Sequence, residues 1–151
     1  MRVQLALNVR DLDEAVAYYS KLFDAAPSKR KPGYANFALD RPPLKLVLLE
    51  VPDAPERLNH LGVEVFEQAE VDAAIARLSQ AGIAGPVEED RTCCYARQNK
   101  VWSTDPQGAR WEFYRVLADT ARFGEAPPPL PAGEPAAAAP EGAPEAGCGC
   151  S

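Results

Sequence analysis

The feature that most constrains the fold of this chain is a repetition. Gln4-Leu5-Ala6-Leu7-Asn8-Val9 sets a large apolar residue at every second position, and His60-Leu61-Gly62-Val63-Glu64-Val65 does the same. Period-two alternation marks a strand with one buried face. An amphipathic helix is expected after each copy. The first begins after Asp11, with Glu14 three residues on as a capping-box variant, and buries Leu12, Ala15, Val16, Tyr19 and Leu22. The second carries Val71, Ala74, Ile75, Leu78 and Ala81 on one stripe and stops at Gly82. With the two strands superposed, Tyr19 falls on Ile75 and Leu22 on Leu78. Strand-like runs follow both helices: Tyr34–Leu39 and Leu44–Val51, then Thr92–Ala96, Lys100–Thr104 and Trp111–Val116. Asp105-Pro-Gln-Gly108 joins the last two, with Pro and Gly where a type I turn prefers them. The basic run Lys29-Arg30-Lys31 reads as a solvated loop. The chain is therefore expected to be α+β, with two tandem βαβββ modules, about 1–52 and 57–118, in one domain over residues 1–118.

Residues 119–151 read differently. From Glu125 the sequence is EAPPPLPAGEPAAAAPEGAPEAGCGCS, with Leu130 its one large apolar residue. Such a segment cannot offset its ordering entropy by burial, so a disordered tail is expected. The net charge of −6 and pI of about 4.8 speak against nucleic acid or an anionic membrane as the main partner. No stretch approaches the ~20 apolar residues of a membrane helix. The opening MRVQLALNVRDLDE interrupts its short apolar run with Gln4 and Asn8 and lacks a small-residue cleavage site, unlike a signal peptide. A cytoplasmic, reducing location is expected, and with it free thiols.

There are four cysteines: Cys93, Cys94, Cys148 and Cys150. CC and CxC are not the paired CxxC of a zinc ribbon, and His60 is the single histidine. Phosphate-loop, dinucleotide-loop and nucleophile-elbow motifs do not occur. A Cys93–Cys94 disulfide would be strained, because neighbouring Cα atoms lie about 3.8 Å apart and unstrained disulfides want roughly 4.4–6.8 Å. Two thiols offered together to a soft ligand is the better reading, against that of two small buried hydrophobes. Adjacent strand residues point to opposite faces, so both thiols reach one ligand only from a loop or an irregular strand.

Alternation also assembles a polar face. Leu5, Leu7 and Val9 turn one way and leave Gln4, Ala6 and Asn8 on the other; His60, Gly62 and Glu64 share the side of Gln4. Ala6 and Gly62 are small and leave room for an ion and a ligand. Glu112, between Trp111 and Phe113, is a carboxylate on an expected core strand, where it would be costly if unpaired.

Two βαβββ modules with polar residues at the starts of strands and Glu112 in the last one resemble the vicinal oxygen chelate superfamily of glyoxalases, extradiol dioxygenases and fosfomycin-modifying enzymes. Within it the segments VQLALNVRDLDEAVAYYSKLF, KRKPGYANFAL, PPLKLVLLE, NHLGVEV, TCCYA and KVW resemble the branch of cadmium-induced proteins and organoarsenical carbon–arsenic lyases, from about Arg2 to Ala118. The resemblance implies that Gln4, His60 and Glu112 bind a metal, and that Cys93 and Cys94 hold trivalent arsenic and serve catalysis. Gln4 stands where many members have His, and Lys45 falls near the place of a fourth ligand found in some. Three ligands are thus expected at an iron(II) centre related to the 2-His-1-carboxylate triad, with positions left for substrate and dioxygen. The activity implied is dioxygen-dependent conversion of methyl or aryl arsenicals to inorganic arsenite. Its rival is non-catalytic sequestration of cadmium or zinc. Cys148 and Cys150 read as an arm that hands metalloids to the site, with an inert tail as the alternative. The sequence sets no oligomeric state.

Overall fold

A computed structural model describes residues 1–124. The elements are β1 (Arg2–Val9), α1 (Leu12–Phe23), β2 (Lys29–Lys31), β3 (Tyr34–Leu39), β4 (Leu44–Glu50), β5 (Leu58–Glu64), α2 (Gln68–Gln80), β6 (Val87–Cys93), β7 (Ala96–Thr104) and β8 (Arg110–Asp119). This is βαβββ twice, α+β as expected. The eight strands form one mixed sheet in the order β2-β3-β4-β1-β5-β8-β7-β6. Each module pairs its first strand parallel to its last, β1 with β4 and β5 with β8. The antiparallel pairing of β1 with β5 joins the modules along a central seam.

Local sequence explains the helices. The Asp11 side chain accepts from Glu14 N and so caps α1. Glu70 Oε2 accepts from Phe66 N and Glu67 N and so caps α2, and Gly82, at φ +71, follows its end. Leu12 and Val16 of α1 pack with Val9, Ala35, Phe37, Leu46 and Leu48. On α2, Ala74 and Leu78 meet Val101 of β7. Burying each of the larger side chains contributes roughly 1.5–3 kcal/mol. Leu5 and Leu7 pack on the helix-facing side, which leaves Gln4 and Ala6 for the opposite face.

Four expectations are corrected. Leu22 is exposed, and Phe23 takes the last place on the α1 stripe, stacking on Tyr19 and reaching Phe37. Ala81 is exposed beyond the last turn of α2. Lys29-Arg30-Lys31 is no loop but the edge strand β2, paired with Asn36, Ala35 and Tyr34, and its charges discourage a further strand from adding there. The run Thr92–Ala96 is broken by a turn at Cys94–Tyr95, and β7 starts at Ala96, taking in Arg97–Asn99. Ordered contacts also continue past Ala118: Thr120 N donates to Tyr95 O, and Gly124 bridges to Cys93.

Candidate metal and thiol site

The central seam sets the first cluster. Gln4 of β1 and Glu112 of β8 both stand opposite Gly62 of β5, while His60 lies opposite Ala6. A Cβ on Gly62 would come within 3.0 Å of Glu112 Cγ and 3.3 Å of Gln4 Nε2, so glycine is what lets the two side chains close. Gln4 Nε2 lies 3.0 Å from His60 Nε2 and 2.7 Å from Glu112 Oε1; His60 Nε2 and Glu112 Oε1 are 3.2 Å apart. The three residues that the resemblance picks out therefore converge, and all are buried.

A second layer of contacts holds them. His60 Nδ1 sits 2.7 Å from Asn59 Oδ1, and Asn59 Nδ2 in turn donates to Asn8 Oδ1. That places the proton of a neutral imidazole on Nδ1 and leaves Nε2 as a lone pair. Nε2 and Glu112 Oε1 are then two acceptors 3.2 Å apart, a juxtaposition that a cation relieves. Glu112 Oε2 accepts from Lys100 Nζ at 3.1 Å. Burial alone would raise the Glu112 carboxyl, but the Lys100 charge beside Oε2 outweighs it and holds the group below the ordinary carboxylate range. Gln4 Oε1 accepts from the Tyr114 hydroxyl. An amide ligates a metal through its oxygen, so Oε1 is the atom that Gln4 could offer. Imidazole nitrogen, carboxylate and amide oxygen fit a divalent metal of iron type. Among the described residues no three His, Cys, Asp and Glu side chains cluster for this purpose; the trio draws its third donor from the amide.

A fourth ligand would come from β4. Glu112 lies opposite the residue two after His60; the same step from Gln4 leads to Ala6, whose neighbour on β4 is Val47. The counterpart of Glu112 is thus a buried valine, whereas Lys45, opposite Gln4, binds Glu64 Oε1 at 2.8 Å. That position thus offers no donor, for a different reason than the lysine suggested.

The thiols are brought together by a strained turn. Cys93 ends β6 opposite Ala96, and the two residues between, Cys94 and Tyr95, have φ of 53 and 61. Positive φ at both central positions is the signature of a type I′ hairpin turn, which normally takes Asn or Gly. Left-handed backbone costs an ordinary residue roughly 1–2 kcal/mol, and such strain concentrates at functional sites. Here it swings Cys94 Sγ to 3.3 Å from Cys93 Sγ. Thr92 O lies 2.2 Å from where a Cβ on Gly124 would sit, so only glycine lets the chain pass so close beside Cys93. The contact with Cys94 and the Lys100 charge, against burial, lower the Cys93 thiol to about 7, while the same contact and burial push Cys94 well up. Of the two, Cys93 is thus the thiol that ionises first.

Both clusters open into one cavity of about 550 Å³, lined by Gln4, His60, Glu112, Cys93, Cys94 and Lys100. Sequence reasoning missed Asn59, Lys100 and Tyr114 as partners of the trio. A signal existed for Lys100, since Gln98, Lys100 and Trp102 alternate along β7 and share a face. Cys148 and Cys150 lie outside the described residues. Among the described residues no helix is long and apolar enough to cross a membrane.

A family model described as Glyoxalase/Bleomycin resistance protein/Dioxygenase superfamily matches residues 2–113. The cadmium-induced protein CadI of Mycobacterium tuberculosis is 60% identical over 126 residues, which span 83% of each chain. The trivalent organoarsenical cleaving enzyme of Thermomonospora curvata is 52% identical over 126 residues, again 83% of each. Among solved structures, a mutant homoprotocatechuate 2,3-dioxygenase from Brevibacterium fuscum matches with a TM-score of 0.58 at 20% identity, over 80% of this chain and 33% of that one, a likeness of fold alone.

Proposed function

The chain belongs to the glyoxalase/bleomycin resistance protein/dioxygenase superfamily, and on that premise we propose that it cleaves the carbon–arsenic bond of trivalent methyl or aryl arsenicals, using iron(II) and dioxygen, and releases inorganic arsenite. The observation that carries this reading is the pair of thiols 3.3 Å apart in the same cavity as Gln4, His60 and Glu112. The name of the 52% identical relative supports the substrate class.

The protein's own contributions follow from the geometry. Cys93, the lower of the two thiols, attacks arsenic first and Cys94 closes the second As–S bond, each As–S bond replacing an As–OH bond with release of one water. Two-point capture fixes arsenic with its organic substituent inside the cavity, which supplies the proximity the cleavage needs. Gln4, His60 and Glu112 would hold iron(II), which when bound supplies dioxygen activation beside the As–C bond. Lys100 occupies Glu112 Oε2 and so leaves Oε1 to the metal. Asn59 keeps His60 Nε2 turned to the same point.

A second reading, sequestration of cadmium or zinc without catalysis, is favoured by the name of the 60% identical relative and by the soft thiol pair. Arsenic speciation separates the two. The protein is loaded with iron(II) under nitrogen, methylarsenite is added, and air is then admitted. Arsenite should form only after air enters. A wild type that leaves the As–C bond intact in air, yet binds cadmium stoichiometrically, would reject the enzyme and establish the second reading.

A further inference from the structure

Gln98 buries an acceptor without a donor. The residue is 6% exposed on β7, and among the described residues no donor reaches its Oε1. Native structures leave few buried polar atoms unpaired, and each such atom calls for a partner that binds later or a role that explains it. The other such atom here, Arg110 Nε, belongs to a guanidinium stacked over the Trp102 ring.

The position of Gln98 points to the partner. The cavity face of β7 presents Ala96, Gln98 and Lys100 in turn. Ala96 stands opposite Cys93, and Lys100 binds Glu112. Gln98 is therefore the residue between the thiols and the trio. The β7–β8 ladder shifts register at Arg97–Gln98, and irregularities of this kind re-aim side chains beside active sites.

Trivalent arsenic has three substituents, and two thiols account for two. Capture of As(OH)3 by two S–H groups forms two As–S bonds, releases two waters and leaves one As–OH. Capture of R–As(OH)2 also releases two waters but leaves As–C, with no donor. Neither step changes an oxidation state. Resting on the thiol-capture reading above, we infer that Gln98 Oε1 accepts a hydrogen bond from the hydroxyl of arsenic held by Cys93 and Cys94, and so distinguishes inorganic from organic arsenic at this site. The acceptor gains its partner only when the third substituent has become oxygen, so it favours the cleaved state over the bound substrate.

The test measures binding without turnover. Full-length protein carrying Cys148→Ser and Cys150→Ser, so that only Cys93 and Cys94 report, is titrated under nitrogen with arsenite and with phenylarsine oxide. Gln98→Met keeps the side-chain length and removes the acceptor. It should weaken arsenite about 5- to 10-fold, as expected for one buried hydrogen bond, and leave phenylarsine oxide within about twofold. The ligand-free variant should melt a few degrees higher, since an unpaired acceptor is gone. Gln98→Glu, which retains an acceptor, should keep the arsenite preference. Equal changes for both arsenicals, unchanged arsenite affinity, or a lower melting temperature of ligand-free Gln98→Met would each overturn the inference while leaving thiol capture in place. Failure of the parent protein to bind either arsenical would overturn both.

Discussion

Two carboxylates, Glu64 and Glu112, are buried on the cavity side of neighbouring strands and are treated in opposite ways. Glu64 is enclosed by two cations: Lys45 holds Oε1 at 2.8 Å and Arg2 holds Oε2. Glu112 has one, Lys100 on Oε2, and its other oxygen faces the amide of Gln4 and the ring of His60. The first carboxylate has its charge matched on both oxygens, so nothing further is needed to hold it. The second keeps one oxygen among exchangeable neutral partners, and an arriving cation can replace them. What separates a structural ion pair from a candidate metal ligand here is not burial, which they share, but how many of the carboxylate's oxygens are already committed to charge.

The comparison breaks most sharply at Glu112. His60→Ala and Glu112→Ala should each abolish iron(II) binding in calorimetry under nitrogen, because each removes a strong donor from a set of three, and Gln4→Ala should weaken it less. Unchanged affinity in His60→Ala would sink the assignment. Cys93→Ser and Cys94→Ser should retain iron(II) yet lose arsenite production, since a protonated hydroxyl is a hard, poor ligand for trivalent arsenic. Full turnover by either serine variant would reject the two-thiol capture.

At Glu64 the effects should fall on stability instead. Lys45→Met leaves Glu64 with Arg2 alone and should cost about 2 kcal/mol, or roughly 5 °C of melting temperature, with iron(II) affinity unchanged. A parallel loss of iron affinity would show that the two carboxylates are not independent. The acid limb offers a finer measurement. Burial alone would raise the Glu64 carboxyl, but Lys45 and Arg2 together hold it below its ordinary 4.5. A carboxyl held down by folding contributes its full stability above the unfolded value and loses it as pH falls through the folded one. Wild type should therefore lose stability more steeply than Glu64→Gln below about pH 4.5. Parallel acid curves would mean that the ion pairs hold nothing.

Much of this contrast is legible in the alternation of β1 and β5, which by itself puts Gln4, His60, Gly62 and Glu64 on one face. The Asp11 cap was equally plain, because a side-chain acceptor three residues before a glutamate is a local signal. What stayed hidden depends on pairing between distant strands. Lys100 is an ordinary strand residue until β7 lies beside β8 and brings it to Glu112. The fourth-ligand position belongs to Val47 and not Lys45, because parallel register, not distance along the chain, decides which residues stand opposite. The turn at Cys94–Tyr95 carries no Gly, Asn or Pro, so its left-handed backbone had no sequence mark. That turn nonetheless answers how adjacent residues present both thiols to one ligand.

The smallest expected effect lies at the end of the described chain, and it separates the strap from the tail. Thr120 N binds Tyr95 O, Phe123 lies edge-on to Tyr34 and Tyr95, and Gly124 bridges Cys93. Residues up to Gly124 thus brace the thiol turn, whereas the sequence beyond it has Leu130 as its one large apolar side chain. Truncation after Glu125 should move the melting temperature by no more than about 1 °C, because little apolar area can be lost. Gly124→Ala in the full chain should do more: its Cβ would fall 2.2 Å from Thr92 O, so the strap must lift from Cys93. Reaction of Cys93 with a maleimide reports that lifting, in a Cys148→Ser and Cys150→Ser background. It should be faster in Gly124→Ala and unchanged by truncation. If truncation alone accelerates it, the tail covers the thiols, and the division drawn here at Gly124 is in the wrong place.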